Sequence, residues 1–201
     1  MFDSFLHFDI GVFHWIANLF HPGTNPFWDT FFTAITKMGD SGLCFIVLGL
    51  AFLIFRRTRK TGIVILIALL FMLGINNGIL KNMFTRPRPF LLDLDWWLRE
   101  YVYPGLIKQP GQFSFPSGHA SGAFAGAMAW CFASTGRLRK FSAIGIVLAA
   151  LIAFSRVYLG VHYATDVIAG AVVGTVCALL GLLVFRLVEK FVKKRGAKAR
   201  K

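Results

Sequence analysis

The chain has 201 residues, of which 56% are hydrophobic, and its mean hydropathy is +0.64. This composition excludes an ordinary soluble domain and is typical of a protein with several membrane spans. The formal net charge is +13, but most basic residues lie in three short clusters that flank apolar segments, at 56–60, 137–140 and 186–201. The positive-inside rule explains such clusters, so we expect no nucleic-acid partner.

The first 26 residues differ from the rest of the chain. Residues 2–20 mix Phe, Leu, Ile and Trp with polar side chains that include Asp9, His7 and His14. This mixture predicts an amphipathic helix lying in the membrane interface, with the two histidines as interfacial polar residues rather than ligands. Residues 21–26 (HPGTNP) predict a turn. We therefore separate an N-terminal interfacial segment, 1–26, from a transmembrane domain, 27–190, and a basic tail, 191–201.

Five apolar segments predict an all-α, polytopic transmembrane helix bundle. They lie at about 39–55, 62–80, 118–135, 141–157 and 164–188, and each approaches the length that a hydrocarbon core requires. The first can begin as early as Pro26. Gly118, Gly122 and Gly126 share one face of the third segment, and small residues at this spacing indicate close helix packing.

The basic clusters also predict the topology. If all three lie in the cytoplasm, the C-terminus is cytoplasmic, and the connection 81–118 and the turn 157–162 lie together on the outer face of the cell membrane. Within that connection, the paired residues Trp96 and Trp97 predict a short interfacial segment.

Polar motifs stand at the outer ends of these segments. They are K-x6-R-P from Lys81 to Pro89, P-S-G-H from Pro116 to His119, and S-R-x5-H-x3-D from Ser155 to Asp166. His162 and Asp166 are four residues apart, so on a helix the carboxylate can hold one imidazole nitrogen and leave the other free to act as a nucleophile. The three motifs together indicate an active site.

Several basic residues suit an anion between these groups. Lys81, Arg88 and Arg156 can bind phosphate, although a snorkelling side chain is an alternative for Lys81. Ser117 and Gly118 open a predicted helix, whose N-terminal N–H groups form a ready anion site. Taken alone, P-S-G-H is more often an ordinary turn into a helix.

Three residues in or near the first motif each allow two interpretations. Arg86 can contact a distal phosphate or attract a lipid headgroup. Asn76 and Asn77 can orient Lys81 or form hydrogen bonds between helices.

The three motifs, in this order, resemble those of the type 2 phosphatidic acid phosphatase family, over roughly residues 27–190. The resemblance implies a membrane lipid phosphatase in which His162 is the nucleophile that forms a phosphohistidine and His119 protonates the leaving oxygen. It further implies that Asp166 supports His162 and that the phosphate is held by a set of five residues: Lys81, Arg88, Ser117, Gly118 and Arg156. We expect no metal or other cofactor, because no metal-ligand spacing is present. Asp93, Asp95 and Glu100 are interpreted as solvated residues.

The resemblance also orders the candidate substrates. Undecaprenyl diphosphate comes first, followed by phosphatidylglycerophosphate and phosphatidic acid. A lipid phosphotransferase would use the same residues, and a non-catalytic lipid transporter on the same fold is the alternative from a different class. The expected partners are the lipid phosphate and anionic headgroups near the basic tail. The oligomeric state stays open.

Overall fold

The computed structural model describes residues 3–91 and 104–198, and every regular element within these ranges is helical. The α-helices are α1 (Asp3–Phe20), α2 (Pro26–Met38), α3 (Leu43–Ile54), α4 (Arg59–Met72), α5 (Lys81–Phe84), α6 (Gly118–Ala133), α7 (Gly136–Tyr158) and α8 (Ala164–Lys198). A π-helical segment, Leu73–Leu80, joins α4 to α5, and short 3₁₀ turns lie at Asp40–Gly42 and Pro89–Leu91. The predicted all-α fold class is confirmed. The predicted interfacial segment at Trp96 and Trp97, and the acidic residues Asp93, Asp95 and Glu100, lie outside the described residues.

Three stretches are long and apolar enough to cross a membrane: Arg59–Leu91, Gly136–Tyr158 and Ala164–Ala197. The helices α2 and α3 pass the same test as a pair, bent by 49°. These stretches include four of the five predicted spans. The remaining predicted span is α6, whose 16 residues extend about 24 Å, which is less than the hydrocarbon thickness of about 30 Å.

The short helix α6 lies at the centre of the bundle, packed against α8, α7 and α4. Its buried positions are mostly alanine and glycine, so neighbouring backbones approach it closely. A Cβ atom at Gly126 would lie 2.3 Å from Cγ of Phe45, and one at Gly174 of α8 would lie 2.3 Å from the carbonyl oxygen of Ser121. The close packing predicted from the glycine spacing is confirmed.

The break between α2 and α3 results from two glycines. A helix does begin at Pro26, but it ends at Met38 with Gly39 as its C-cap, and Gly42 has φ +72°, a conformation that favours glycine. A Cβ atom at Gly39 would lie 2.4 Å from Cγ2 of Ile152, so the chain bends where it passes closest to α7. The bend places Asp40 at the end of the bundle where α6 begins.

Helix α1 is present as predicted, and its buried face packs on the same end of the bundle. Phe13 and Ile16 join a buried cluster with Tyr158 and Tyr163. Its most buried polar residue, Asp9, points inward, whereas the outward side carries exposed Phe and Trp side chains. At the other end of the chain, α8 continues through Lys198, so most of the predicted tail extends this helix.

Candidate active site

The polar motifs meet around one cavity of about 230 Å³ at the end of the bundle. Six of the eight predicted site residues line it: Lys81, Arg88, Gly118, His119, Arg156 and His162. They come from the end of the α4–α5 span, the start of α6, the end of α7 and the turn before α8. The other two, Ser117 and Asp166, are fully buried and do not line the cavity.

His162 lines the cavity, and its two ring nitrogens lie near different neighbours. Its Nε2 lies 3.2 Å from Nη1 of Arg88, while its Nδ1 lies 3.5 Å from Oδ2 of Asp166, the outer limit of a hydrogen bond. Burial, with the nearby charges of Arg88 and Arg156, lowers the pKa of His162 to about 3 although Asp166 acts in the opposite direction. The imidazole is therefore neutral at ordinary pH and carries a lone pair.

Asp166 is held from several sides behind His162. Its Oδ1 accepts a 2.6 Å hydrogen bond from Nη1 of Arg86, and its Oδ2 accepts hydrogen bonds from the backbone N–H of Tyr163 and the hydroxyl of Ser114. A carboxylate with this many donors has a fixed orientation. Ser114 was not singled out by the motifs, because it lies two residues before them.

Arg86 takes neither of the two roles considered for it from the sequence. It is 3% exposed, and its Nη1 and Nη2 atoms contact Asp166 and Asp9 at 2.6 and 2.8 Å. Its guanidinium group lies 3.7 Å from the ring centroid of Tyr163. Two carboxylates and an aromatic face thus occupy this side chain, so its position supports Asp166 rather than a phosphate or headgroup.

Asp9 is the residue that the sequence interpretation missed. Besides pairing with Arg86, it accepts hydrogen bonds from the backbone N–H and the hydroxyl of Thr165, at 2.9 and 2.7 Å. The sequence does contain a signal that points to Asp9. The chain has only nine acidic residues, and a carboxylate within an apolar helix requires a cationic partner. Arg86 was the motif cation without an assigned role.

We expect Asp9→Ala to lower both the stability and the activity of the protein. Removing one partner of a buried ion pair lowers the free energy of unfolding by about 3–5 kcal/mol, because the remaining charge stays desolvated. Thermal unfolding in detergent and kcat on a lipid phosphate measure the two effects. Asp9→Asn, which keeps an acceptor for Thr165, is the matched control and should lose less of both. Unchanged stability and kcat in Asp9→Ala would show that this buried network does not support the site.

The three predicted phosphate-binding cations converge, and none of them forms a salt bridge with a carboxylate in the ranges 3–91 and 104–198. Lys81 Nζ lies 3.2 Å from Oε1 of Gln112, and Arg88 donates to the backbone carbonyls of Gln112 and Val161, each at 2.6 Å. Arg156 donates to Oγ1 of Thr36 at 2.6 Å, and its buried Nε has no hydrogen-bond partner among the described residues. Lys81 is 6% exposed and turned inward, so the snorkelling alternative is wrong. The positive charge here suits a multiply charged anion.

The start of α6 differs from the expected anion site. Ser117 caps the helix, with Oγ 3.5 Å from the N–H of Ala120, but its own N–H donates to the carbonyl oxygen of Asp166 at 3.0 Å. The N–H of Ser117 is therefore not available to a phosphate, because it already donates a hydrogen bond to the first turn of α8. Gly118 does line the cavity, where a Cβ atom would lie 3.3 Å from Oδ1 of Asn77.

His119 also has a partner that sequence reasoning missed. Its Nε2 lies 2.8 Å from Oδ1 of Asp40, at the bend between α2 and α3. Asp40 is 79 positions away, so no local pattern pointed to it. Nearby, the hydroxyl of Ser121 donates to Oδ1 of Asn76 at 2.7 Å, which confirms the interhelical alternative for that asparagine.

Known proteins resemble this chain in sequence and in fold. The sequence profile described as the PAP2 superfamily matches residues 62–191. An undecaprenyl-diphosphatase of Sulfolobus acidocaldarius is 35% identical over 133 residues, a match that spans 65% of this chain and only 58% of the relative. Phosphatidylglycerophosphatase B of Bacillus subtilis is 31% identical over 182 residues, spanning 84% of this chain and 77% of that protein. The crystal structure of Aquifex aeolicus LpxE superposes with a TM-score of 0.66 at 28% identity, covering 86% of this chain and 93% of LpxE.

Proposed function

The chain belongs to the PAP2 superfamily, and from this premise we propose that it is a membrane lipid phosphatase that cleaves a phosphate from a lipid phosphate or diphosphate. The observation that carries the proposal is the cavity in which Lys81, Arg88 and Arg156 surround a space between two histidines. Phosphoryl transfer requires a nucleophile, an acid for the leaving oxygen, and positive donors for the equatorial oxygens. This cavity contains a candidate for each of these groups.

In the proposed reaction, Nε2 of His162 attacks phosphorus as the bond from phosphorus to the leaving oxygen breaks. The electron pair of that bond goes to the leaving oxygen, which takes the Nδ1 proton of His119 in its imidazolium form, since Asp40 holds the Nε2–H of that ring. Asp166 stabilises the charge that develops on His162, and the three cations bind the equatorial oxygens. Water then attacks the phosphohistidine, giving its proton to His119, and releases inorganic phosphate with His162 restored.

The environment of His162 defines the pH range of the nucleophile. Because its pKa is lowered to about 3, the imidazole stays unprotonated throughout the range in which the protein is handled. We therefore attribute any loss of kcat/KM between about pH 8 and pH 5 to the substrate phosphate rather than to His162.

We propose undecaprenyl diphosphate as the leading substrate. The Sulfolobus relative named undecaprenyl-diphosphatase supports this choice, and the name of the Bacillus relative makes phosphatidylglycerophosphate the second candidate. Phosphatidic acid remains a third, and transfer of the phosphoryl group to a lipid acceptor instead of water would use the same residues.

A phosphate-release assay on purified protein tests both substrate and chemistry. With undecaprenyl diphosphate, phosphatidylglycerophosphate and phosphatidic acid as the panel, we expect the highest kcat/KM on the diphosphate. Activity should persist in excess EDTA, because protein cations supply the positive charge, and orthovanadate should inhibit it by mimicking five-coordinate phosphorus. Release of phosphate from none of the three lipids, or a strict requirement for Mg²⁺, would contradict the proposal.

We further propose that the site lies on the outer face of the cell membrane. The basic residues 56–60, 137–140 and 186–198 lie at helix ends opposite those that carry the cavity, as the positive-inside rule requires for a cytoplasmic position. The exposed basic end of α8 is then placed to contact anionic lipid headgroups.

Labelling of single cysteines in intact cells tests this orientation. In a variant lacking Cys44, Cys131 and Cys177, Gly111→Cys should react with a membrane-impermeant thiol reagent, because a Cβ atom there meets nothing within 4 Å. Arg137→Cys, equally exposed at the other end of the bundle, should react only after the cells are permeabilised. The reverse pattern would place the site in the cytoplasm.

A further inference from the structure

A second cavity of about 530 Å³ adjoins the first and shares three lining residues with it: Pro110, His119 and Arg156. One wall is the face of α2 that carries Thr33, Thr36 and Lys37 at helical spacing. The opposite wall is the segment 106–110, which includes Lys108. The cavity therefore continues from the side of the site where His119 stands.

The charges around this second cavity are mainly positive. Lys37 and Lys108 line it, and neither forms a salt bridge with any residue in the described ranges. The cavity has one acidic lining residue, Asp40, whose Oδ1 is held by Nε2 of His119. Arg156 adds a third positive charge at the boundary between the two cavities.

The direction of the reaction connects this cavity to the leaving group. In an in-line displacement the nucleophile and the leaving oxygen lie on opposite sides of phosphorus. If His162 attacks and His119 protonates the leaving oxygen, whatever is bonded to that oxygen extends past His119, where the second cavity opens. A leaving group with an anion directly beyond the bridging oxygen would meet Lys37 and Lys108.

We propose that the second cavity is a subsite for the non-transferred phosphate of a lipid diphosphate, with Lys37 and Lys108 as its charged donors. The subsite rests on the proposed phosphatase function and narrows its substrate class to lipid diphosphates. The bond from the terminal phosphorus to the bridging oxygen breaks, the bridging oxygen takes the proton of His119, and the lipid monophosphate departs from the subsite. Charge develops on this leaving phosphate in the transition state, so the two lysines favour diphosphates over monophosphates of the same lipid.

The test compares two substrates that differ only in this phosphate: farnesyl diphosphate and farnesyl monophosphate. We expect Lys37→Gln with Lys108→Gln to lower kcat/KM on the diphosphate on the order of tenfold or more, and on the monophosphate less than about threefold. The charge-preserving pair Lys37→Arg and Lys108→Arg should keep most of the preference. Both side chains are exposed, so thermal unfolding of the variants should match that of the wild type.

Lys140→Gln is the control for a general loss of positive charge, because it removes an exposed lysine at the opposite end of the bundle. It should change neither rate. Equal losses on both substrates in the double variant, or no loss on either, would overturn the subsite while leaving the phosphatase assignment in place. A wild-type protein inactive on both substrates would contradict the assignment itself, and the subsite with it.

Discussion

Replacement of His162 should reduce the hydrolysis of every phosphate ester by at least about 10⁴-fold, because no substrate can supply the missing nucleophile. The loss should appear in kcat, on a lipid phosphate and on an aryl phosphate alike. Rapid quenching of the wild-type reaction should trap a protein-bound phosphoryl group that is stable to base, as a phosphohistidine is, and the variant should trap none.

The choice of variant follows from the burial of His162. From the sequence we expected this residue at a polar membrane edge, but it is 2% exposed and lies between the buried residues Val161 and Tyr163. His162→Ala would leave a cavity in that cluster, and the resulting loss of packing could be mistaken for a loss of chemistry. His162→Asn leaves a smaller cavity and a polar group, so it is the matched variant, with thermal unfolding as the control. Steady turnover by folded His162→Asn protein would refute the nucleophile assignment.

Loss of His119 should depend on the leaving group, since a weakly basic oxygen departs without protonation. We expect His119→Ala to lower kcat/KM by about 10²- to 10⁴-fold on a lipid monophosphate, whose leaving group is an alkoxide. On p-nitrophenyl phosphate the loss should be less than about tenfold. The ratio of the two losses is the informative quantity, because a change in folding or in phosphate binding affects both substrates equally.

His119→Gln provides the corresponding control for shape. It can accept or donate a hydrogen bond toward Asp40 but cannot protonate a leaving oxygen, so it should show the same dependence on the leaving group as His119→Ala. Proportional losses on the two substrates would remove the acid role and leave His119 as a phosphate-binding residue.

Much of the fold can be predicted from the sequence, because helices and their close-packed faces depend on residues that lie near one another in the chain. Apolar segments indicate helices, glycines four residues apart indicate close packing, and both expectations hold in the bundle. The bend after α2 was not predicted. Hydropathy is an average over many residues, whereas the bend depends on where Gly39 meets Ile152 of a distant helix.

The candidate active site likewise has a part that the sequence predicts and a part that it does not. The motif residues can be recognised from their short spacings in the sequence, and six of them line the cavity. The partners of the motif residues lie far away in the sequence: Asp9 is 77 positions from Arg86, Asp40 is 79 from His119, and Thr36 is 120 from Arg156. One sequence shows that a buried charge requires a partner, but only the packing of helices identifies which residue it is.

The contact between α1 and α8 also constrains how the bundle assembles. Thr165, whose backbone N–H donates a hydrogen bond to Asp9, follows that residue by 156 positions in the sequence. The carboxylate therefore lacks part of its native partner set until α8 has been synthesised and inserted. Arg86 in turn cannot fix Asp166 before that moment, so a partly synthesised chain contains the Lys81 and His119 motifs without a working site. We therefore expect the network behind the proposed site to be complete only once α1 has docked against α8.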